Sequence, residues 1–381
     1  MMEPAIVGLR VPVIGAVEPV AADIHAACVD SAPRFIELQE KWDSLLRSSD
    51  TTSPFLTWEW LHAWWSCLGA SSRLRICTVD TGARLTAVAP FRLTTGVARL
   101  PCLDFLGTGE AGSDYLDILV RRGFEDEGLD AIERFVVSQK TALRLTHVAP
   151  SAGATSLAIR LQRRGWVQVT APGGICPYIP LAGETWDSYL ATVGASHRAN
   201  VRRRLRALEQ KFAISFEQVE CDADRREALA RLAHYHAHRF DADGTAFRTA
   251  SLCAFHDEAT QRFLARGWLR MFILRLDGAP AAVMYGFLYN RTFYFYQHGF
   301  DDRYRQYSIG LVLMAMSIRA AIDEGAAEFD MLWGTEPYKF LWARKTRELR
   351  NIHLFPPHLA GRLHRGLFHA RGRLSAFIHA C

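Results

Sequence analysis

The stretch FYFYQHGFDDRYRQYSIGLVLM, residues 293–314, changes character twice. Its aromatic run from Phe293 to Tyr296 has the composition of a β-strand, and DDRYRQY is a polar turn carrying Arg303 and Arg305. From Ile309 to Glu324 the chain reads as a helix, with Ser308 as its N-cap and Gly325 in the left-handed position that follows a helix end. Leu311, Val312, Leu313, Met314, Met316, Ile318 and Ile322 cover most of the helix circumference, which predicts a buried helix. A buried helix entered directly from a strand holds its first free N–H groups and the positive end of its dipole at the sheet edge. That is an anion site, and a pyrophosphate is its natural guest; Arg303 and Arg305 add charge, and Gly310 is expected to let a ligand approach the backbone.

Working outward, LRMFILRLDGAPAAVMYGFLYNRTFYFYQHGF predicts three antiparallel strands joined by the turns LDGAP and NRT. TWDSYLATV, SHRANVRRRLRALEQKF, Arg225 to His238 and Ser251 to Arg266 predict helices upstream, with ISFEQVE as a strand among them. Downstream come a strand EFDMLW, a short helix around YKFLWARK and a strand RNIHLF. An earlier region repeats this order. FIELQEKWDSLL and SPFLTWEWLHAWWSCLG predict helices, LRICTVD, RLTAVAPFRL, LPCLDFLG and DYLDILV strands, and FEDEGLDAIERFVVSQ a helix before the strand ALRLTHVAP. The fold class is α/β (α+β), with two halves at residues 31–184 and 185–355, a loosely ordered tail at 1–30 and a basic tail at 356–381. In the basic tail Leu359, Leu363, Leu367, Leu374 and Phe377 form a stripe that packs on the protein, or meets a membrane surface or a partner.

The chain has 381 residues, 49% hydrophobic, and a formal charge of +5, too small for its length to define a nucleic-acid binder. Its eight cysteines form no C-x-x-C pair and no zinc spacing, which fits free thiols in a reducing compartment. Glu3 stands where a signal peptide carries cations, and no apolar run reaches the ~20 residues of a membrane span. A cytoplasmic location is expected.

The spacing Arg305-x-x-Ser308-x-Gly310 resembles the Arg/Gln-x-x-Gly-x-Gly/Ala pyrophosphate loop of the GNAT acyltransferase superfamily, with Ser308 where the first glycine usually stands. SHRANVRRRLRALE, GWLRMFILRLDGAPAAVMYGF, FYFYQHGFDDRYRQYSIGLVLM and FDMLWGTEPYKFLWA together resemble the CelD-like branch of that superfamily, associated with polysaccharide production and related to the FemAB aminoacyltransferases. The resemblance implies tandem GNAT-like domains, each a mostly antiparallel mixed sheet flanked by helices. It implies acyl transfer from acetyl-CoA or another acyl-CoA, or from an aminoacyl-tRNA as in the FemAB relatives, to a small-molecule or glycan amine or hydroxyl. A binding module that kept the fold without the chemistry is the reading from another class.

Such a transfer needs a base for the acceptor, a donor to polarise the thioester carbonyl and a proton for the leaving thiolate. His298 is the expected base, since an imidazole titrates near neutral pH, and Tyr296 and Gln297 lie beside it on the strand that meets the coenzyme. Alternation places Tyr296 and His298 on one face and Gln297 on the other. Arg303, Arg305, Ser308, Ile309 and Gly310 are the expected coenzyme contacts. In WGTEPYKFLWARK, Glu336 takes a proton or binds an amine and Tyr338 protonates the thiolate; Asp330, Trp333 and Lys339 are expected to face the substrate. Arg202, Arg203 and Arg206 share one helix face, with Arg198 and Arg204 flanking, and suit an anionic partner. His234 and His238 lie four apart, but no third ligand at sensible spacing accompanies them, so no metal site is expected.

Overall fold

The computed structural model describes residues 24–51, 53–96, 99–239 and 246–378. The first half runs β1 (Ile24–Val29), α1 (Ala32–Glu37), α2 (Gln39–Arg47), α3 (Trp58–Leu68), β2 (Arg73–Leu74), β3 (Ile76–Thr81), β4 (Arg84–Ala89), β5 (Phe91–Thr95), β6 (Pro101–Phe105), β7 (Leu119–Val120), α4 (Glu125–Ser138), β8 (Ala142–Val148), α5 (Gly153–Arg163) and β9 (Val167–Pro180). The second half runs α6 (Trp186–Thr192), α7 (Ala195–Glu209), β10 (Ile214–Gln218), α8 (Asp222–Arg239), α9 (Ala250–Ala265), β11 (Leu269–Leu276), β12 (Ala279–Tyr289), β13 (Thr292–Phe300), α10 (Ile309–Asp323), β14 (Glu328–Asp330), α11 (Lys339–Trp342) and β15 (Lys345–Phe355), and α12 (Leu359–Ile378) closes the chain.

Local chemistry sets many of these boundaries. The Thr57 hydroxyl accepts from Trp60 N–H to start α3, and Thr249 does the same for α9 through Leu252. Both turns of the β11–β12–β13 meander pair two left-handed residues, Asp277 with Gly278 and Asn290 with Arg291, the twist a tight hairpin needs. Pro90, which has no N–H for a ladder, separates β4 from β5.

The large sheet has the order β10-β11-β12-β13-β14-β9-β15-β8-β6-β5-β2, and β1-β3-β4-β7 form a smaller sheet. Its two parallel contacts are β13 with β14 and β6 with β8. Both halves thus follow one plan, an antiparallel meander and then a parallel partner, but their closing strands are exchanged. β9 from the first half pairs with β14, β15 from the second pairs with β8, and the two lie antiparallel along most of their length.

One apolar core spans both halves: Trp60 of α3 meets Phe255 of α9 at 4.8 Å, Tyr296 of β13 at 5.5 Å and Phe287 of β12 at 5.7 Å between ring centres. A second core lies under α10, where Val312, Leu313 and Ile318 cover Phe293, Phe295 and Phe329, and Val201 and Leu208 of α7 close its side. Burying each such side chain contributes roughly 1.5–3 kcal/mol.

Several expectations change. Residues 24–29, expected within a loose tail, form β1, paired with β3. The expected strand DYLDILV is extended only at Leu119–Val120, and EFDMLW only at Glu328–Asp330. α12 turns Gly361, His364 and Phe368 toward β15, with Phe368 5.5 Å from Phe355, while Leu359 and Leu363 of the expected stripe are exposed. Among the described residues no helix is long and apolar enough to cross a membrane.

Candidate active site

β13 and β14 pair over three residues, Thr292–Tyr294 against Glu328–Asp330, and then part. β13 continues to Phe300 on the β12 side, so a gap opens between it and residues 331–338. A bulge lies at the parting point: Gly286 opposes Phe295 and Tyr285 opposes Gln297, leaving Tyr296 as the extra residue. The bulge reverses the alternation expected from sequence. Tyr296 turns toward α3 and α9, 5.1 Å from Tyr285, and its hydroxyl donates to the Ala111 carbonyl. Gly299 backs onto Tyr235 and Leu232 of α8, while His298 lies on the opposite, α10 face, 5.3 Å from Phe295 and 5.8 Å from Tyr338. The expected base and the expected thiolate acid therefore stand together, and Tyr296 is across the sheet from them.

At the end of β13 the Asp301 carboxylate accepts from Arg303 N–H at 2.9 Å and opens a short 3-10 turn, Asp302–Tyr307. Arg303 pairs with Asp301 at 2.7 Å and Arg305 with Asp302 at 2.9 Å, so both arginines lie on the surface with their own counter-charges. Ser308 differs from the expected side-chain cap. Its backbone is left-handed, φ 57° and ψ 41°, and its hydroxyl makes no cap hydrogen bond. The residue swings the chain into α10, at a cost of about 1–2 kcal/mol for a non-glycine. Gly310 has a packing role as well: a Cβ there would lie 3.1 Å from the Phe300 ring. The first N–H groups of α10, from Ile309 and Gly310, point past the turn, since the helix ladder starts with Leu311 and Val312 donating to Ser308.

α7 flanks this turn. Arg204 reaches the Gln306 carbonyl at 3.4 Å and Lys211 lies 4.8 Å over the Tyr307 ring. Arg198 donates to Ala191 O at 3.1 Å and so caps α6. Arg202, Arg203 and Arg206 are exposed, Arg202 3.6 Å from Asp187 and Arg203 2.7 Å from Asn200. Positive charge thus gathers around the amino end of α10 from two elements.

Past β14 the chain is held by the other half. Trp333 N–H donates to Asp114 at 2.7 Å, and its ring packs on Gly174, where a Cβ would fall 1.9 Å from the indole nitrogen. The indole is 56% exposed and stacks with His147 at 6.1 Å. Lys339, expected to hold substrate, is buried; its ammonium donates to the Trp333 carbonyl at 2.8 Å and pairs with Glu336 at 3.1 Å. Buried Lys339 therefore ties this loop together, with exposed Glu336 as its counter-charge.

Asp330 is 1% exposed. It accepts from the Tyr115 hydroxyl at 2.7 Å, from Leu332 N–H at 2.7 Å and from Arg347 at 3.1 Å. Burial outweighs those bonds and pushes its carboxyl up to about 7. Burial opposes charge on Arg347 as well, but Glu328 and Asp330 together hold its guanidinium firmly protonated. Asp114 sits 3.1 Å from His147; burial works against an imidazolium there, and the Asp114 carboxylate overcomes it and raises the histidine. Tyr115, His147 and Leu332 all have left-handed backbones, and strain of this kind gathers at functional sites. The sequence reading missed Asp114 and Tyr115, whose partners Trp333 and Asp330 lie more than two hundred residues away, and also His147 and Arg347, whose partners lie nearer.

An open cavity of about 670 Å³ adjoins Asp330, walled by Thr292, Tyr294 and Glu328 on one side and by residues 115–118 and 151–153 on the other. Among the described residues no group of three or more His, Cys, Asp and Glu is placed to hold a metal ion. His236 Nε2 is 3.0 Å from the His298 carbonyl, and the side chain of His238 lies outside the described residues.

A parallel strand pair that splays beside a helix amino terminus, at the end of an antiparallel meander, is the arrangement of the GNAT fold. Residues 195–340 match the acetyltransferase (GNAT) domain model. Residues 195–340 thus carry a GNAT domain, and the chain shares its fold with FemX. It is similar to the crystal structure of FemX, at 12% identity and a TM-score of 0.59 over 82% of this chain and 95% of that one. It is also similar to L-PGS from Bacillus licheniformis, at 11% identity and a TM-score of 0.52 over 86% of this chain and 94% of that one. At such identities the likeness is one of fold. No curated protein matches the sequence significantly.

Proposed function

We propose that the chain transfers an acyl group directly from an acyl-CoA to the amine or hydroxyl of a small molecule or glycan precursor. The observation that carries this reading is the parting of β13 from β14 after Tyr294 and Asp330, with β13 running on toward the turn that opens α10. The residues fit the coenzyme: the amides of Ile309 and Gly310 and the cations Arg204, Arg305 and Lys211 suit its phosphates, and the stretch of β13 that parts from β14 suits its amide-bearing arm. The acceptor's lone pair attacks the thioester carbon, the new bond forms as the C–S bond breaks, and the thiolate takes up a proton. Tyr338, whose ring lies 5.8 Å from that of His298, is the proposed source of that proton. His298 on the α10 face and Asp330 on the other are the bases that flank the splay.

Calorimetry with acetyl-CoA tests the donor. The expected result is saturable binding that free coenzyme A competes for, weakened about tenfold by Arg204→Glu, since one reversed charge beside the phosphates is worth 1–2 kcal/mol. A second reading, an aminoacyl-tRNA donor, is favoured by the exposed Arg202, Arg203 and Arg206 beside the same turn. Absence of acetyl-CoA binding together with tight, salt-sensitive binding of aminoacyl-tRNA would replace the first reading by the second.

A further inference from the structure

Glu348 is the last acidic side chain in the sequence. The residues after it include Arg350, Arg362, Arg365, Arg371 and Arg373 and no Asp or Glu. All of these arginines but Arg350 fall in α12, an element the acyl-transfer reading does not use.

α12 sits close on the end of β15. Gly361 lies against Pro356, where a Cβ would collide with the proline carbonyl, and the rings of His364 and Phe368 each lie 5.5 Å from Phe355. The face turned away from the protein carries Leu359, Leu363, Gly366 and Ala370, successive positions at helical spacing and all exposed. Leu359 is 82% exposed and Leu363 57%, so among the described residues nothing covers this strip. On its flank Arg362 and Arg365 line a hollow of about 120 Å³ whose other walls include Val167, Phe355, Pro356 and Pro357. No carboxylate lines it. The arginines of α5, the helix that leads to the edge of this hollow, are neutralised instead: Arg160 pairs with Asp126 and Asp130, and Arg164 with Glu133.

The combination selects its partner. A nucleic acid would engage the arginines and leave the leucines in water. A second copy of α12 would set arginine against arginine, with no acid on the helix to answer it. An anionic lipid surface uses both features, because phosphates take the guanidiniums and the acyl region below takes the leucines, with the long arginine stems bridging the two depths. We propose that α12 docks the protein on the surface of a membrane rich in anionic phospholipid, with Arg362 and Arg365 against lipid phosphates and Leu359 and Leu363 among the acyl chains.

This docking is separate from the candidate active site. β15 runs from Arg347, which holds Asp330, to Phe355 under α12, roughly 26 Å of strand. A membrane at α12 therefore leaves the splay uncovered, and the docking stands or falls independently of acyl transfer.

The test is to sediment the full chain with vesicles of phosphatidylcholine alone and of phosphatidylcholine mixed with phosphatidylglycerol. The protein should pellet with the mixed vesicles only, and added salt should release it. Arg362→Gln with Arg365→Gln should weaken the partition about thirtyfold, as two charges near a lipid surface are worth. Leu359→Ser with Leu363→Ser keeps the charge and should weaken it about tenfold, with the melting temperature unchanged because both side chains are exposed in the free protein. Arg202→Gln with Arg203→Gln, on the exposed face of α7, should leave it unchanged. No binding to the mixed vesicles, equal binding to both kinds, or binding that survives either α12 pair overturns the proposal. Loss of binding with the α7 pair overturns it as well. Self-association that Leu363→Ser abolishes, in a chain that binds no vesicle, would give the strip to a second copy.

Discussion

The last residues paired across the two parallel contacts are Asp104 with Arg144 in the first half and Tyr294 with Asp330 in the second. Asp104 is fully buried and takes both Arg144, at 2.5 Å, and Arg92, at 3.2 Å, whose guanidinium also lies 4.5 Å from the Trp64 ring. That cluster locks the strands at the position where the second half opens. Asp330 has one guanidinium, a phenol and an amide, and the cavity beyond them. The same backbone plan is thus tied shut by charge in one half and left available in the other, which teaches that topology sets where a site lies and side-chain electrostatics set whether it works.

The largest effect is expected from Asp104→Asn. Two guanidiniums would face a neutral amide in the interior, and urea denaturation should show a loss of about 3–5 kcal/mol; a change below about 1 kcal/mol would mean that charge does not lock the first half. Asp330 should show itself next, through pH. Its folded carboxyl titrates near 7 and an unfolded one near 3.9, so between those values the native state holds a proton the unfolded chain has released. Stability should therefore fall as pH rises from about 4 to about 7, by at most about 1.4 kcal/mol per pH unit from this group. Asp117, pushed up by burial to about 6, adds to the same slope. Asp330→Asn should flatten the profile, and an unchanged slope would separate Asp330 from the contrast. The smallest effect belongs to Ser308. Ser308→Gly should raise stability by up to about 1 kcal/mol in thermal unfolding, because glycine accepts the left-handed backbone freely, with acetyl-CoA affinity retained. Ser308→Val should lower stability by a similar amount.

The meander, α10 and the turn before it are legible in the sequence because each is specified locally: aromatic runs, paired turn residues, an apolar helix with glycine after its end. The side of the sheet each residue faces is less legible. One bulge at Tyr296 moves His298 to the other face, and period-two counting has no way to see it. β9 carries Gly173, Gly174 and three prolines, the composition of a loop, and it becomes a strand only through its partners β15, whose register shifts beside those glycines, and β14. α5 carries a helical signal that the sequence reading passed over, with Ala154, Leu157, Ala158 and Leu161 at helical spacing ahead of Gly165. Tyr115 meets Asp330, and Asp114 meets Trp333, across more than two hundred residues, so that part of the site exists only once both halves are folded together.

The exchange of β9 and β15 has a mechanical consequence. Each half ends on a strand that belongs to the other, so the two halves are spaced by backbone register along a continuous ladder and not by a linker that can swing. Strand register, not the closing of one lobe on the other, therefore sets the width of any cleft between the halves.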